Sequence, residues 1–384
     1  MNTPPKKLRP ALAYASVVAL LAACGPARDT TTSTYTAAAV TSSTTPAPDR
    51  ARLPASAPSP APGTSIERLD PAMDALIAPG AELEQIASGY EWAEGVEWVG
   101  DVDDGYLIWS DVRANKAYRW DEAGGARVYL EPSGYTGAYF AGEEPGSNRL
   151  FVSPDGELML CQHGDRRIAR MTAPMSAPRP EFATVVGFYN GKRLNSPNDV
   201  DWYRNGDLYF TDPAYGLPGG QHESSVKELD FQGVYRFSFR DSATTLLTSE
   251  LSRPNGIAFT PDYASLLVAN SDAQRPIWMK YPVEADGTLG EGAVFFDASP
   301  MVPGPQDGIP DGMAMHSSGT LFATGPGGVL VIDGGGKHIG TLKTGQTTAN
   351  CAFNPDESVL YITADSLIMR VPMLAGSSVP AERR

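Results

Sequence analysis

Residues Gly191–Gly216 read GKRLNSPNDVDWYRNGDLYFTDPAYG, and this run carries the plan of the chain. Ser196-Pro197-Asn198-Asp199 reads as a tight polar turn, because Pro197 presets φ and Asn198 and Asp199 offer short side-chain oxygens. Val200–Tyr203 then reads as a short strand and Arg204-Asn205-Gly206-Asp207 as a hairpin turn. Leu208–Thr211 is a second strand that ends at Asp212-Pro213. Antiparallel pairing places Asn198, just ahead of one strand, and Asp212, just after its partner, at the same edge of a sheet. Chemistry is expected at that edge.

The same unit recurs. Second strands of this kind begin at Leu107, Leu158, Leu208, Leu266, Leu321 and Leu360, spaced by 39 to 58 residues. The turns before them repeat as well: Ser153-Pro154-Asp155-Gly156, Thr260-Pro261-Asp262-Tyr263, Ser317-Ser318-Gly319 and Asn354-Pro355-Asp356-Glu357. Units of this length built from short strands are the mark of propeller blades, and six units predict an all-β, six-bladed β-propeller over residues 81–375. No amphipathic stretch is long enough to matter as a helix. Leu83–Tyr90 is expected to complete the last blade and close the ring.

The flanking segments are of another kind. Lys6, Lys7 and Arg9 precede an apolar run from about Ala11 to Ala23, too short to span a bilayer and of signal-peptide length. Leu21-Ala22-Ala23-Cys24 resembles a bacterial lipobox, so residues 1–23 are read as a lipoprotein signal and Cys24 as the lipidated first residue of the mature chain. That predicts attachment to the cell envelope, on the periplasmic side of the outer membrane, through the lipid alone. Residues 24–80, poor in large apolar side chains at their start and rich in Thr, Ser, Ala and Pro, are expected to be a tether whose removal leaves the domain from Ala81 folded. Residues 376–384 form a tail. Cleavage moves the formal charge from −15 to −18, which argues against a nucleic-acid partner. Cys161 and Cys351 sit within apolar strands and are expected to be buried free thiols, with one disulfide as the alternative.

In a propeller the loop feeding each innermost strand lies at one mouth of the central channel. The polar residues in that slot are Glu94, Asn198, Asn255, Asp311 and Asn350, most of them beside Gly or Pro. Glu94, Asn198, Asn255 and Asp311 together offer four side-chain oxygens and two negative charges, which suits a hard divalent cation. Ca2+ is the expected occupant, ahead of Mn2+ or Mg2+; Zn2+ suits the set least, because the four His residues show no paired spacing. No nucleophile elbow, Walker loop or dinucleotide fingerprint is present, so acyl-enzyme, nucleotide and redox readings lack support.

From roughly Glu94 to Val371 the sequence resembles the gluconolactonase / senescence-marker-protein family, six-bladed propeller hydrolases related in plan to diisopropylfluorophosphatase. Gly191–Asp199, Leu208–Gly216, Arg253–Phe259, Pro310–Met313 and Cys161-Gln162-His163-Gly164-Asp165-Arg166-Arg167 carry the likeness. The resemblance implies that Glu94, Asn255 and Asp311 hold a divalent metal, that Asn198 binds metal or substrate, and that Asp311 also serves as base. Some relatives place an Arg where this chain has Ser196, so Ser196 is a candidate substrate contact of different chemistry. His163 is the second candidate base, since imidazole titrates near neutrality. Asp212 and Asn350 are further candidate substrate contacts. The expected activity is metal-dependent opening of a sugar-type lactone, a small-molecule substrate. Phosphotriester or aryl-ester hydrolysis at the same site is the alternative enzyme, and a binding module with structural calcium the alternative outside catalysis.

Overall fold

The computed structural model describes residues 59–219, 224–301 and 308–374. Cys24, the signal stretch, the first part of the expected tether and the tail lie outside the described residues. Six antiparallel sheets of four or five strands are arranged as blades, with one extra two-stranded hairpin at Phe188–Tyr189 and Lys192–Arg193. The first, innermost strands are Ala93–Val99, Ser147–Val152, Val200–Trp202, Pro254–Phe259, Met313–Met315 and Thr348–Phe353, for blades 1 to 6 in turn. Among the described residues helix is confined to two short 3-10 turns, Pro71–Ala75 and Ser299–Met301, and no helix there is long and apolar enough to cross a membrane.

Each blade is buried on both faces, which is why its inner strands read as continuous apolar runs rather than alternating ones. Leu321–Gly325 and Gly328–Ile332 are buried along their whole length. The core is therefore six separate apolar clusters, one in each gap between neighbouring blades. Between blades 1 and 2, for example, Ile108, Ala117 and Leu130 meet Leu150, Leu160 and Met171. Among the described residues the cysteines are Cys161 and Cys351, both buried free thiols within this packing.

Ring closure follows expectation. Glu84–Ser88 pairs with Leu367–Pro372, so a strand that precedes blade 1 in sequence completes blade 6. The expected domain boundary at Ala81 is too late, however. Ser59–Pro60 adds a strand to blade 6 beside Glu84–Ser88, and Ser65–Arg68 adds one to blade 5 beside His338–Lys343. Between them and the ring, Met73 and Ile77 are fully buried against Phe322, Leu342 and Val371. This segment covers two sheet edges that would otherwise expose unpaired backbone groups. Lys343 Nζ holds Glu67 at 2.9 Å across that seam.

The Val200–Asp212 hairpin forms as its sequence predicts, but the segment leading into it does not. Tyr203 N donates to Asp207 O at 2.9 Å and Gly206 takes a positive φ of 84°, as the turn requires. Ser196–Asp199 is not a tight turn. Ser196 N donates to Pro213 O, Asn198 N to Thr211 O and Thr211 N to Asp199 O, at 2.9–3.1 Å, so the ladder runs on past the strand. Pro197, with no N–H, fits because its position in that ladder needs no donor there.

Candidate active site at the channel mouth

The slot residues form a closed ring. Blade 1 meets blade 2 where Gly95 leaves room for the Asn148 carbonyl; a Cβ there would lie 2.0 Å from that oxygen. Blade 2 meets blade 3 through Arg149 N, which donates to Asn198 O at 3.2 Å. Thr211 Oγ1 donates to Asn255 O at 2.7 Å, joining blades 3 and 4. A Cβ on Gly256 would lie 2.2 Å from Asp311 O, and one on Gly312 would lie 2.4 Å from the Asn350 amide. Ala93 N donates to Asp365 O at 2.8 Å and closes the circle. The glycines following Glu94, Asn255 and Asp311 thus have a physical cause: the next blade occupies the space a side chain would need.

A second device aims these side chains. In blades 1 and 4 one extra residue interrupts the ladder at the slot: Glu94↔Ser110 is followed by Glu97↔Ile108, and Pro254↔Asn270, the pair just before Asn255, by Ile257↔Val268. Such β-bulges locally break pairing and re-aim a side chain. Blades 2 and 6 carry bulges at the same height.

Glu94 is buried, with Oε1 accepting from Trp92 Nε1 at 3.2 Å and Oε2 from its neighbour Gly95 N at 3.3 Å. Burial, followed by the charges of Glu144 and Asp199, pushes its pKa up to about 8. Asp311 lies well above the usual carboxylate range, from burial first and then from Glu94, Glu144 and Asp199; a hydrogen bond from Asn255 opposes this. Asn255 also donates through Nδ2 to Ser271 Oγ at 3.0 Å, which leaves its Oδ1 for another partner. Two carboxylates drawn away from water, Glu94 raising Asp311, with the Asn255 amide beside them, fit a hard cation: its charge would remove the repulsion and its coordination would use the free oxygens. Among the described residues no three His, Cys, Asp or Glu side chains are grouped as a metal site, so the fit depends on the amides.

Several candidates are placed differently from their expected roles. Ser196 is fully buried; its Oγ donates to Pro213 O at 2.7 Å and accepts from Gly216 N at 2.9 Å, so it braces the loop over the mouth. Asp212 is also fully buried and accepts from Asn195 N at 2.8 Å beneath the Asn198 segment. Asn350 turns its Oδ1 back to Cys351 N at 2.9 Å. His163 lies behind the ring, fully buried with Gly216 packed on its Cβ; its Nδ1 meets Glu144 Oε2 at 3.1 Å. A carboxylate only accepts, so Nδ1 carries the proton. Glu144 is thus the group presented toward Glu94 and Asp311, and His163 orients it. Glu144 stands in the loop joining blades 1 and 2, where nothing in the repeat marked it.

Past the ring, the channel continues as a cavity of about 280 Å3 whose polar lining is Glu97, Arg149, Asp199 and Asp201. Arg149 holds Glu97 at 2.8 Å and stands 3.6 Å from Asp199, whose own oxygens accept from Val200 N and Ile257 N. This ion-paired floor ties blades 1 to 4 together below the mouth.

A family model described as SMP-30/Gluconolactonase/LRE-like region matches residues 92–366. A gluconolactonase of Zymomonas mobilis is 36% identical over 318 residues, covering 80% of this chain and 85% of its own. A gluconolactonase structure from Xanthomonas campestris superposes with a TM-score of 0.71 at 29% identity, over 85% of this chain and 100% of that one. At 17% identity, and so as a likeness of fold alone, regucalcin of Agrobacterium tumefaciens superposes with a TM-score of 0.58 over 84% of this chain and 98% of its own. With six blades, a ring of oxygen donors at one mouth and these relatives, the chain belongs to the SMP-30/gluconolactonase/LRE-like family.

Proposed function

We propose that this protein is a divalent-metal-dependent lactone hydrolase whose substrate is a sugar-type lactone. The observation that carries the reading is the ring itself: Glu94, Asn198, Asn255 and Asp311 occupy matching slots of four blades around one channel mouth. Similarity to gluconolactonases over most of the chain supports the substrate class.

Glu94, Asn255 and Asp311, with Asn198, would hold the cation, and the all-oxygen donor set favours Ca2+. Such a cation supplies Lewis-acid polarisation of the lactone carbonyl and lowers the pKa of nearby water. Asp311 is the base: its carboxylate takes a proton as water adds to the carbonyl carbon. The ring C–O bond then breaks, and the proton returns to the departing ring oxygen, giving the open hydroxy acid. Asn255 orients Asp311 through its amide N–H. Glu144, fixed by His163, sits beside these groups as a hydrogen-bond acceptor for a substrate hydroxyl.

The test is hydrolysis of a panel comprising a sugar δ-lactone, an alkyl lactone and a neutral aryl phosphotriester, before and after chelation and with Ca2+ added back. The sugar lactone is expected to be the best substrate, with turnover lost on chelation and restored by the cation. Asp311→Asn should lower kcat/KM on that substrate by about 10²-fold or more, the scale of losing a general base, with unchanged far-UV circular dichroism. Preference for the phosphotriester, or full activity in chelator, would overturn the reading.

A further inference from the structure

The sequence marks five slots in a ring of six blades; blade 2 is the one left without a residue. Its first strand, Ser147–Val152, carries the same bulge as blades 1 and 4: Ser147↔Gln162 is followed by Leu150↔Leu160. Ser147↔Gln162, Ala93↔Asp111 and Pro254↔Asn270 are the matching pairs at the heads of the three ladders, so Asn148 stands where Glu94 and Asn255 stand in their blades.

Its neighbours agree. The Asn148 carbonyl fills the space beside Gly95, next to Glu94, and the following residue's N–H bonds the carbonyl of Asn198. Asn148 is therefore wedged between two of the residues assigned to the cation. Only 4% of it is exposed, yet its Oδ1 has no hydrogen-bond partner. Asn350, the other extra amide of the ring, is already satisfied by Cys351 N. A buried amide oxygen without a partner is uncommon and calls for a cause.

We infer that Asn148 is a further oxygen donor to the cation held by Glu94, Asn198, Asn255 and Asp311. The inference rests on the metal-site reading above. With the cation bound Glu94 is a carboxylate and only accepts, so it cannot then satisfy another acceptor, whereas the cation can. Ca2+ takes six to eight oxygens, and a neutral amide adds one without upsetting the balance of two carboxylates against a double positive charge.

Ca2+ titration calorimetry on the full-length protein tests this, with thermal melts with and without Ca2+ as a second readout. Asn148→Leu keeps the volume and removes the oxygen; Asn148→Asp keeps an oxygen and adds charge. The expected result is a Kd raised on the order of tenfold or more for Asn148→Leu, with a smaller Ca2+-induced rise in Tm, and a Kd equal to or below wild type for Asn148→Asp, in line with affinity tuning by ligand number and charge. If Asn148→Leu does not fold, Asn148→Asp decides alone, because an affinity weaker than wild type overturns the assignment. A Kd within twofold of wild type for Asn148→Leu also overturns it, even if the lactone KM changes. Failure of wild type to bind Ca2+ would remove the metal-site reading as well; binding by wild type that is equalled by Asn148→Leu removes this inference only.

Discussion

Asp212 offers a quantitative test of how the Asn198 segment is supported. Its side chain is fully buried; Oδ2 accepts from Asn195 N and Oδ1 has no partner. Burial raises its pKa from 3.8 to about 7, against opposing backbone donors at Asn195 and Ser196 and the charges of Arg166 and Lys227. The folded chain therefore keeps a proton that the unfolded chain releases. Stability from this group is complete below pH 3.8 and is lost as pH rises through 7. A shift of roughly 3 units at 1.36 kcal/mol per unit is about 4 kcal/mol in all, of which about 3 kcal/mol falls between pH 5 and pH 8. Asp212→Asn keeps an acceptor for Asn195 N and cannot ionise. Urea denaturation of both proteins from pH 5 to pH 8 should show the variant gaining on wild type by about 3 kcal/mol. With m of roughly 3 kcal/mol/M, that is a relative midpoint shift of about 1 M. Curves that stay parallel across this range would show that the Asp212 carboxyl does not hold its proton in the fold, and the argument would fail.

Two further outcomes follow from the N-terminal region. A chain beginning at Ala81 loses the outer strands of blades 5 and 6 together with buried Met73 and Ile77, each worth about 1.5–3 kcal/mol of burial. Its Tm should fall on the order of 10 °C, at roughly 2–4 °C per kcal/mol, whereas a chain beginning near residue 58 should melt as wild type does; equal melting of the two would contradict the role given to this segment. If Cys24 is lipidated, Cys24→Ala should move the protein from the membrane fraction to the soluble one in a bacterial host or block its processing, as read by fractionation and intact mass, and unchanged fractionation and mass would refute the anchor.

How much of this was legible in the sequence depended on whether the cause was local. Strand alternation, the Arg204–Asp207 turn and the recurring Leu-led strands are set by φ/ψ preference and by burial on both faces of a sheet, which residues express over a few positions. Six such units imply six blades without any contact being known. Glu94, Asn255 and Asp311 were legible for a related reason: each is followed by a Gly that the neighbouring blade requires, so their shared placement leaves a repeated sign. Asn148 left none, because Arg149 follows it and reaches down to Glu97 and Asp199; only the bulge in the sheet register puts it in the ring.

The tertiary structure decided which polar side chains face the channel. Ser196 and Asp212 have the residue types and strand-end positions of site residues, yet Ser196 Oγ is spent on the backbone of Pro213 and Gly216, and Asp212 is buried with its Oδ2 on Asn195 N. His163 looked like a base from its strand end, but packing against Gly216 sets it behind Glu144. Residues 59–80 looked like tether because Ser65–Arg68 joins blade 5 by a pairing across some 270 residues of chain, invisible to local composition. The sequence by itself determined the repeating unit, the blade count and the chemistry of the oxygen donors, since these follow from nearest-neighbour preferences. Which side chain turns inward, and what it touches, was decided by contacts between blades, where a single hydrogen bond or an absent Cβ outweighs the identity of the residue.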